Sequence, residues 1–416
     1  MARVHLFWDA SDIWGPLAAW ALDSYGLDWR PVSGADIGEG ILAREKPSLL
    51  FVPGGFGSRK SRSLGDAGRA AVRNYVDSGG WYLGVCGGAG LGLSTAEGLA
   101  LCPWKRVGYR DRLQHFMIGH LAATFAEHPL APSVSEDAGV LPLLPVWWPG
   151  LFDPRGKESD SLVVLARYGG PGPDFRLADL PVSSLSPAVF ADWKRRFGFS
   201  PSPAFLKGQP CVLHGLFGRG RYTLSYAHLE TPDSPFANAW LASLFRQAEL
   251  TPARSAVAEW DLSALERVWR DPDLLEVGVG VESMLATGRA AGLFFDRTPW
   301  LTGWRMGIPG AQLGSLRAFI HTIVSRSPSP AASALWEASR AAFMRVFIPF
   351  QERVSQYLLA EQLSLTLGQA VPELELPAKL HAERAELFGP GGMVSGGLIR
   401  ELLPVLNTLT FLQLAG

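Results

Sequence analysis

Cysteine is scarce in this sequence: three residues in 416, Cys86, Cys102 and Cys211, with no Cys-x-x-Cys pair. That excludes a disulfide framework and a thiolate zinc site, and points to a reducing compartment. Charge is also sparse, at 19% of residues with a formal net charge of −1, and Lys and Arg are dispersed rather than clustered. A nucleic-acid partner, which needs a basic face, is not expected. No apolar run approaches the ~18 residues of a membrane span. Asp9 and Asp12 come too early for the apolar core of a signal peptide. The expectation is a soluble, cytoplasmic protein without membrane or nucleic-acid partners. Beyond residue 251 no cluster of His, Asp and Glu has ligand spacing, and neither metal nor cofactor is expected for the chain.

What the chain does contain is apolar content of 47%, enough for two or three domains with a sizeable core, and 15 tryptophans, which suit clefts and domain edges. Short apolar runs at 4–8, 27–32, 48–52 and 81–85 alternate with helical patterns at 13–25 and 65–77. Ser11 or Asp12 is placed to cap the first helix. This order predicts a parallel sheet with crossover helices.

The stretch around which the chain is organised is Gly79-Gly80-Trp81-Tyr82-Leu83-Gly84-Val85-Cys86-Gly87-Gly88-Ala89-Gly90. A buried strand runs into a cysteine flanked by glycines and then into a helix start, the pattern of a nucleophile elbow. The amides after Cys86 favour a thiolate and an oxyanion. Cys102 and Cys211 read as core cysteines. One strand and helix earlier, Pro53-Gly54-Gly55 ends a strand, and ligand crevices lie at such carboxyl ends. Its glycine amides suit an oxyanion, although a plain tight turn has the same composition.

Further on, 141–150 is proline-broken and aromatic, either a cleft wall or a loop, and 161–166 reads as a strand. His115 and His120 read as structural or surface residues. Two strands then flank Gly218-Arg219-Gly220-Arg221, and the second is expected to deliver His228 and Glu230 on one side, a base and its orienter. Asp9 and Asp12 remain alternative orienting acids. A helix is expected at 237–247.

The Pro53-Gly54-Gly55 turn, the Gly79-to-Ala89 elbow and His228-x-Glu230 resemble the class I glutamine amidotransferase-like superfamily, closest to the biotin–protein ligase N-terminal-domain-like branch, over residues 1–245. The resemblance implies a flavodoxin-like three-layer α/β domain at 1–250. It also implies Cys86 as nucleophile, His228 as base, Glu230 as orienter, and Gly54, Gly55 and Gly87 at the oxyanion or substrate. Two departures weigh against glutamine as the substrate: Gly88-Ala89-Gly90-Leu91 opens the helix after the cysteine, and Leu229 stands between His228 and Glu230.

From residue 251 the apolar period changes to that of helices, expected at 262–269, 273–287, 313–325, 331–367, 377–388 and 397–412, with a kink or break at Pro349. This all-α domain, 251–416, carries no evident chemistry, and a protein partner is one role for it. The leading expectation is an amidotransferase-like hydrolase or transferase acting on a C–N amide or related acyl bond of a small molecule. The alternative is an inactive small-ligand-binding or regulatory module on the same scaffold.

Overall fold

A computed structural model describes residues 3–108, 113–133, 142–154, 162–305, 307–367, 370–371, 376–390 and 396–416. The chain divides into two units, Met1–Glu259 and Trp260–Gly416. Residues 251–259 therefore belong with the first unit, where the Ala253 amide donates to the Tyr25 carbonyl and the Val257 amide to Asn238 Oδ1.

In the first unit, short apolar runs covered on both faces form β1 (Val4–Phe7), β3 (Leu49–Val52) and β4 (Trp81–Val85), and the half-buried β2 (Trp29–Val32) is the edge strand beside β1. Between them lie α1 (Trp14–Ser24), α2 (Gly34–Gly38), α3 (Ile41–Glu45) and α4 (Gly57–Asp77). After β4 come α5 (Gly87–Gly92), β5 (Lys105–Arg106), β6 (Met117–Phe125), β7 (Leu143–Trp147), β8 (Phe152–Asp153) and β9 (Leu162–Pro171). The unit continues with β10 (Arg176–Leu177), β11 (Leu180–Pro181), α6 (Pro187–Phe197), β12 (Pro210–Phe217), β13 (Gly220–Ser225) and α7 (Pro235–Gln247). One sheet runs in the order β11-β10-β6-β9-β12-β13-β4-β3-β1-β2, with β7 paired to β6. From β13 to β2 its neighbours are parallel, and β12 pairs antiparallel with both β13 and β9. The result is an α/β domain.

Four local expectations are revised. Neither Ser11 nor Asp12 caps α1, which starts after Ile13 without a side-chain cap. The Ser11 hydroxyl is drawn instead to Lys60, and Asp12 to Arg59. The helix expected at 65–77 begins at Gly57, and Gly65, at φ 58° and ψ −172°, joins two helical segments. The stretch 141–150 contains a strand, β7, although Leu141 lies outside the described residues, as does Ser161 before β9. His228 and Glu230 follow β13 on a loop rather than sharing its face.

The second unit holds α8 (Pro272–Ala290), α9 (Gly310–Val324), α10 (Pro330–Leu367), α11 (Leu376–Phe388) and α12 (Ile399–Ala415). It is not all helix: Phe294–Asp296 and Thr302–Trp304 form an antiparallel hairpin between α8 and α9. The helix expected at 262–269 is absent, because the amides of Val268 and Trp269 both bond the Val324 carbonyl at the end of α9. Pro349 does not break α10, where Phe343, Phe347 and Phe350 are buried on the same helix and hold it through the proline.

α9 is buried along nearly its whole length, so its charged residues need partners. Glu282 on α8 supplies them, its Oε1 lying 2.6 Å from Arg317 Nε and 3.0 Å from His321 Nε2. Burial alone would raise the Glu282 pKa, but the bonds and charges of His321 and Arg317 outweigh it and hold the carboxyl at about 2. A depressed carboxyl pKa contributes stability above the unfolded value and loses it as pH falls. Glu282→Gln is therefore expected to melt below the parent at pH 6, the gap closing as pH falls from about 4.5 towards 2, in thermal melts recorded across that range. An equal gap at every pH would refute the ion-pair account.

Candidate active site

β4 ends at Val85, and the chain reverses at Cys86 with φ 50° and ψ −104°. A side chain other than glycine holds positive φ at a cost of about 1–3 kcal/mol, so the surroundings must enforce it. They do so by backbone contact. The Cys86 amide donates to the Ser225 carbonyl of β13 at 2.7 Å, and the Tyr82 hydroxyl donates to the Gly88 carbonyl at 2.7 Å. A Cβ on Gly88 would stand 2.0 Å from the Val52 carbonyl oxygen, and one on Gly87 would stand 1.9 Å from that of Gly55. The Pro53-Gly54-Gly55 turn and the elbow thus touch, backbone to backbone.

Cys86 remains partly exposed, as do Gly55 and Gly87, whereas Gly54 is buried. Gly55 holds φ 109° with the Ala10 carbonyl against its α-carbon, and Gly54 lies under the indole of Trp14. Trp14 in turn lies against the His228 ring, centroids 4.4 Å apart and tilted by 38°, and meets Trp148 edge-on at 5.9 Å. The Trp14 indole thus covers the imidazole, and Trp148 buttresses Trp14.

His228 and Glu230 are fully buried. Nδ1 of His228 is 2.8 Å from Glu230 Oε1. Glu230 Oε2 has no hydrogen-bond partner among the described residues, which leaves His228 as the group answering the buried carboxylate. Asn238 on α7 holds the loop: its Nδ2 donates to the carbonyls of Leu229 and Thr231, on either side of Glu230, each at 2.9 Å. His228 Nε2 makes no hydrogen bond of ordinary length and angle, yet Cys86 is close enough that each shifts the other's ionisation. Burial opposes ionisation of the thiol, but His228 and then the charge of Arg106 outweigh it and bring the thiol below its usual value. For His228, burial favours the neutral ring, and Glu230 followed by Cys86 reverses this, raising its pKa well above the ordinary value.

Several residues here carried no sequence signal. Trp14 follows the carboxyl end of β1, a position that faces the crevice in such sheets. Lys60 on α4 is fully buried, its Nζ bonding the Asp9 carbonyl at 3.1 Å and the Ser11 hydroxyl. Burial drives its pKa to about 7 against the pull of Asp12, Asp9 and Cys86. Lys60 pins the β1–α1 loop, where Ala10 and Asp12 both hold positive φ. Asp9 and Asp12 are engaged elsewhere, with the Gly34 amide and Arg59 respectively, while Glu230 bonds His228. No group of three or more His, Cys, Asp or Glu among the described residues is arranged to hold a metal ion.

Residues 43–98 match the family described as "Biotin-protein ligase, N terminal", an interval holding the glycine turn and the elbow. No curated protein matches the chain. Among solved structures, a protein assigned as a GMP synthase subunit from Thermoplasma acidophilum is similar at 14% identity and TM-score 0.35, over 60% of this chain and 94% of that one. A ThuA-like protein from Bacteroides uniformis is similar at 13% identity and TM-score 0.35, over 59% of this chain and 89% of that one. A β-galactosidase from Rahnella sp. R3 is similar at 14% identity and TM-score 0.34, over 63% of this chain and 33% of that one.

Two outcomes are expected from this geometry. Gly88→Ala, with a backbone oxygen in the way, should destabilise by about 1–3 kcal/mol or more, whereas Gly90→Ala, with nothing within 4 Å, should leave the melting temperature unchanged or slightly raised. Equal melting temperatures for the two variants would refute the contact. Alkylation of Cys86 by iodoacetamide, followed across pH by peptide mass spectrometry, should show a thiolate below the usual value of about 8.5. His228→Ala should move that profile upward. A profile at the ordinary value in both proteins would sink the pairing.

Proposed function

We propose that the first unit is an amidotransferase-like hydrolase or transferase, acting on a C–N amide or related acyl bond of a small molecule through the Cys86 thiolate. The observation that carries this reading is the strained elbow, Cys86 at φ 50° beside a buried His228 whose Nδ1 is 2.8 Å from Glu230. The match of residues 43–98 to the biotin–protein ligase N-terminal family supports an amidotransferase-like scaffold. The parallel order β13-β4-β3-β1-β2 supports its flavodoxin-like form.

In this reading the Cys86 sulfur attacks the carbonyl carbon, and the oxyanion is received by amides of the Gly54-Gly55 turn and of Gly87 at the start of α5. The His228 imidazolium gives its Nε2 proton to the leaving nitrogen, breaking the C–N bond and leaving an acyl thioester. The neutral ring then takes a proton from water or another acceptor nucleophile, which releases the acyl group and restores the thiolate. Glu230 holds the imidazole upright and stabilises its charge throughout. A reduced thiol, a cytoplasmic setting and a protein partner for the second unit belong to the same reading.

A panel of small carboxamides, esters and thioesters, quenched in acid and analysed by intact mass, should trap an acyl adduct on Cys86. Cys86→Ala should form none, and Glu230→Gln should form it at least 10-fold more slowly. A reactive thiol that acquires no acyl group from any of the three classes would overturn the hydrolase reading in favour of a ligand-binding one.

A further inference from the structure

A second constellation lies in the first unit, between β6 and the start of α7. Asp174 engages His120 twice: Oδ1 accepts the His120 backbone amide at 3.1 Å, and Oδ2 is 2.7 Å from Nδ1. The Asp174 carboxyl, although burial opposes it, is held below its usual pKa by these contacts and is ionised. A carboxylate only accepts, so Nδ1 carries a proton, and in the neutral ring Nε2 is the acceptor. Ser234 Oγ lies 2.8 Å from Nε2 and 3.4 Å from the Pro232 carbonyl, so its single proton has two acceptors, of which the imidazole nitrogen is the nearer. Nucleophile, base and orienter stand in the order that activates a serine.

The position of Ser234 adds to this. It is the N-cap of α7, where a serine ordinarily turns its hydroxyl onto the amides of its own first turn. Here no side chain caps the helix, and the hydroxyl is turned to His120 instead. Ser234 stands at the positive end of a 13-residue helix whose first turn has no side-chain cap. The preceding residue, Asp233, holds φ 56° in the turn that leads into the helix. Phe236, in that same first turn, packs on Phe125 with ring centroids 5.5 Å apart, and both are half-buried.

We propose that Ser234, His120 and Asp174 form a second acyl-transfer site, distinct from Cys86, that takes small uncharged carboxylic esters bearing an apolar group. Asp174 and Asp233 disfavour an anionic substrate, and the Phe125–Phe236 pair suits an apolar one. As the bond from Ser234 Oγ to the carbonyl carbon forms, the hydroxyl proton passes to His120 Nε2. The ester C–O bond then breaks and Nε2 returns the proton to the departing alcohol. Water, giving its proton to Nε2, attacks the acyl-serine and releases the carboxylic acid, the proton returning to Ser234.

Ser234 is only 3% exposed, so the probes are small: diisopropyl fluorophosphate and p-nitrophenyl acetate, applied to the full chain carrying Cys86→Ala. The expected result is one phosphoryl group on Ser234 by peptide mass spectrometry, a P–O bond formed as fluoride leaves, together with release of p-nitrophenol. Both should vanish in Ser234→Ala and slow at least 10-fold in His120→Gln. Asp174→Asn, at a half-exposed position, gives the same test should His120→Gln fail to fold. An unmodified Ser234 in a protein with an unchanged melting temperature would show a structural bridge between β6 and α7 and overturn the proposal. Labelling equally fast without His120 or the Asp174 carboxylate would overturn it too. Because Cys86 is absent throughout, the result is independent of the reading given to that residue.

Discussion

The contact on which the first unit depends is one of bare backbone. The Gly55 carbonyl against Gly87, and the Val52 carbonyl against Gly88, bring the ends of two neighbouring strands closer than any side chain permits. Cys86 is held at positive φ because the chain on either side of it has no room to relax. The same turn, through Gly54, makes the space in which Trp14 lies, and Trp14 covers His228. Strand ends, turn, indole and imidazole form a single packing chain.

Laid over this steric frame is a buried electrostatic one. Glu230 has no exposure and one hydrogen-bonded cation, so the charge of His228 is maintained by a neighbour that water does not screen. Asn238 keeps that neighbour in place by holding the main chain on both sides of it. Lys60 does for the β1–α1 loop what Asn238 does for the His228 loop: a buried side chain from a helix gathers the polar groups of an irregular turn. In each case a helix in the frame sets the shape of a loop at the site.

Much of the first unit was legible in sequence because its central strands are buried on both faces and so read as unbroken apolar runs bounded by glycine. Cys86 was legible for the same reason, its glycines being demanded by local geometry. His228 and Glu230 were legible as residue types, although a loop rather than a strand brings them together. Lys60 was not, since nothing in the neighbouring sequence marks a lysine as buried. His120 read as a structural or surface residue because its partners Asp174 and Ser234 are 54 and 114 positions away. The stretch 262–269 has a helical apolar period, but a distant carbonyl takes its amides, a competition that no local pattern records. The hairpin at 294–304 was hidden by its shortness.

The pairing of β4 with β13 also has a consequence in time. Tyr82 stands opposite Tyr222 and Val85 opposite Ser225, so the residues on which Cys86 rests are made long after Cys86 itself. The 142 residues from Cys86 to His228 take roughly 7–28 s to synthesise at about 5–20 residues per second. Throughout that interval Cys86 lacks both the strand that receives its amide and the imidazole that lowers its pKa. The elbow and the imidazole that shifts its thiol come together only when the sheet closes.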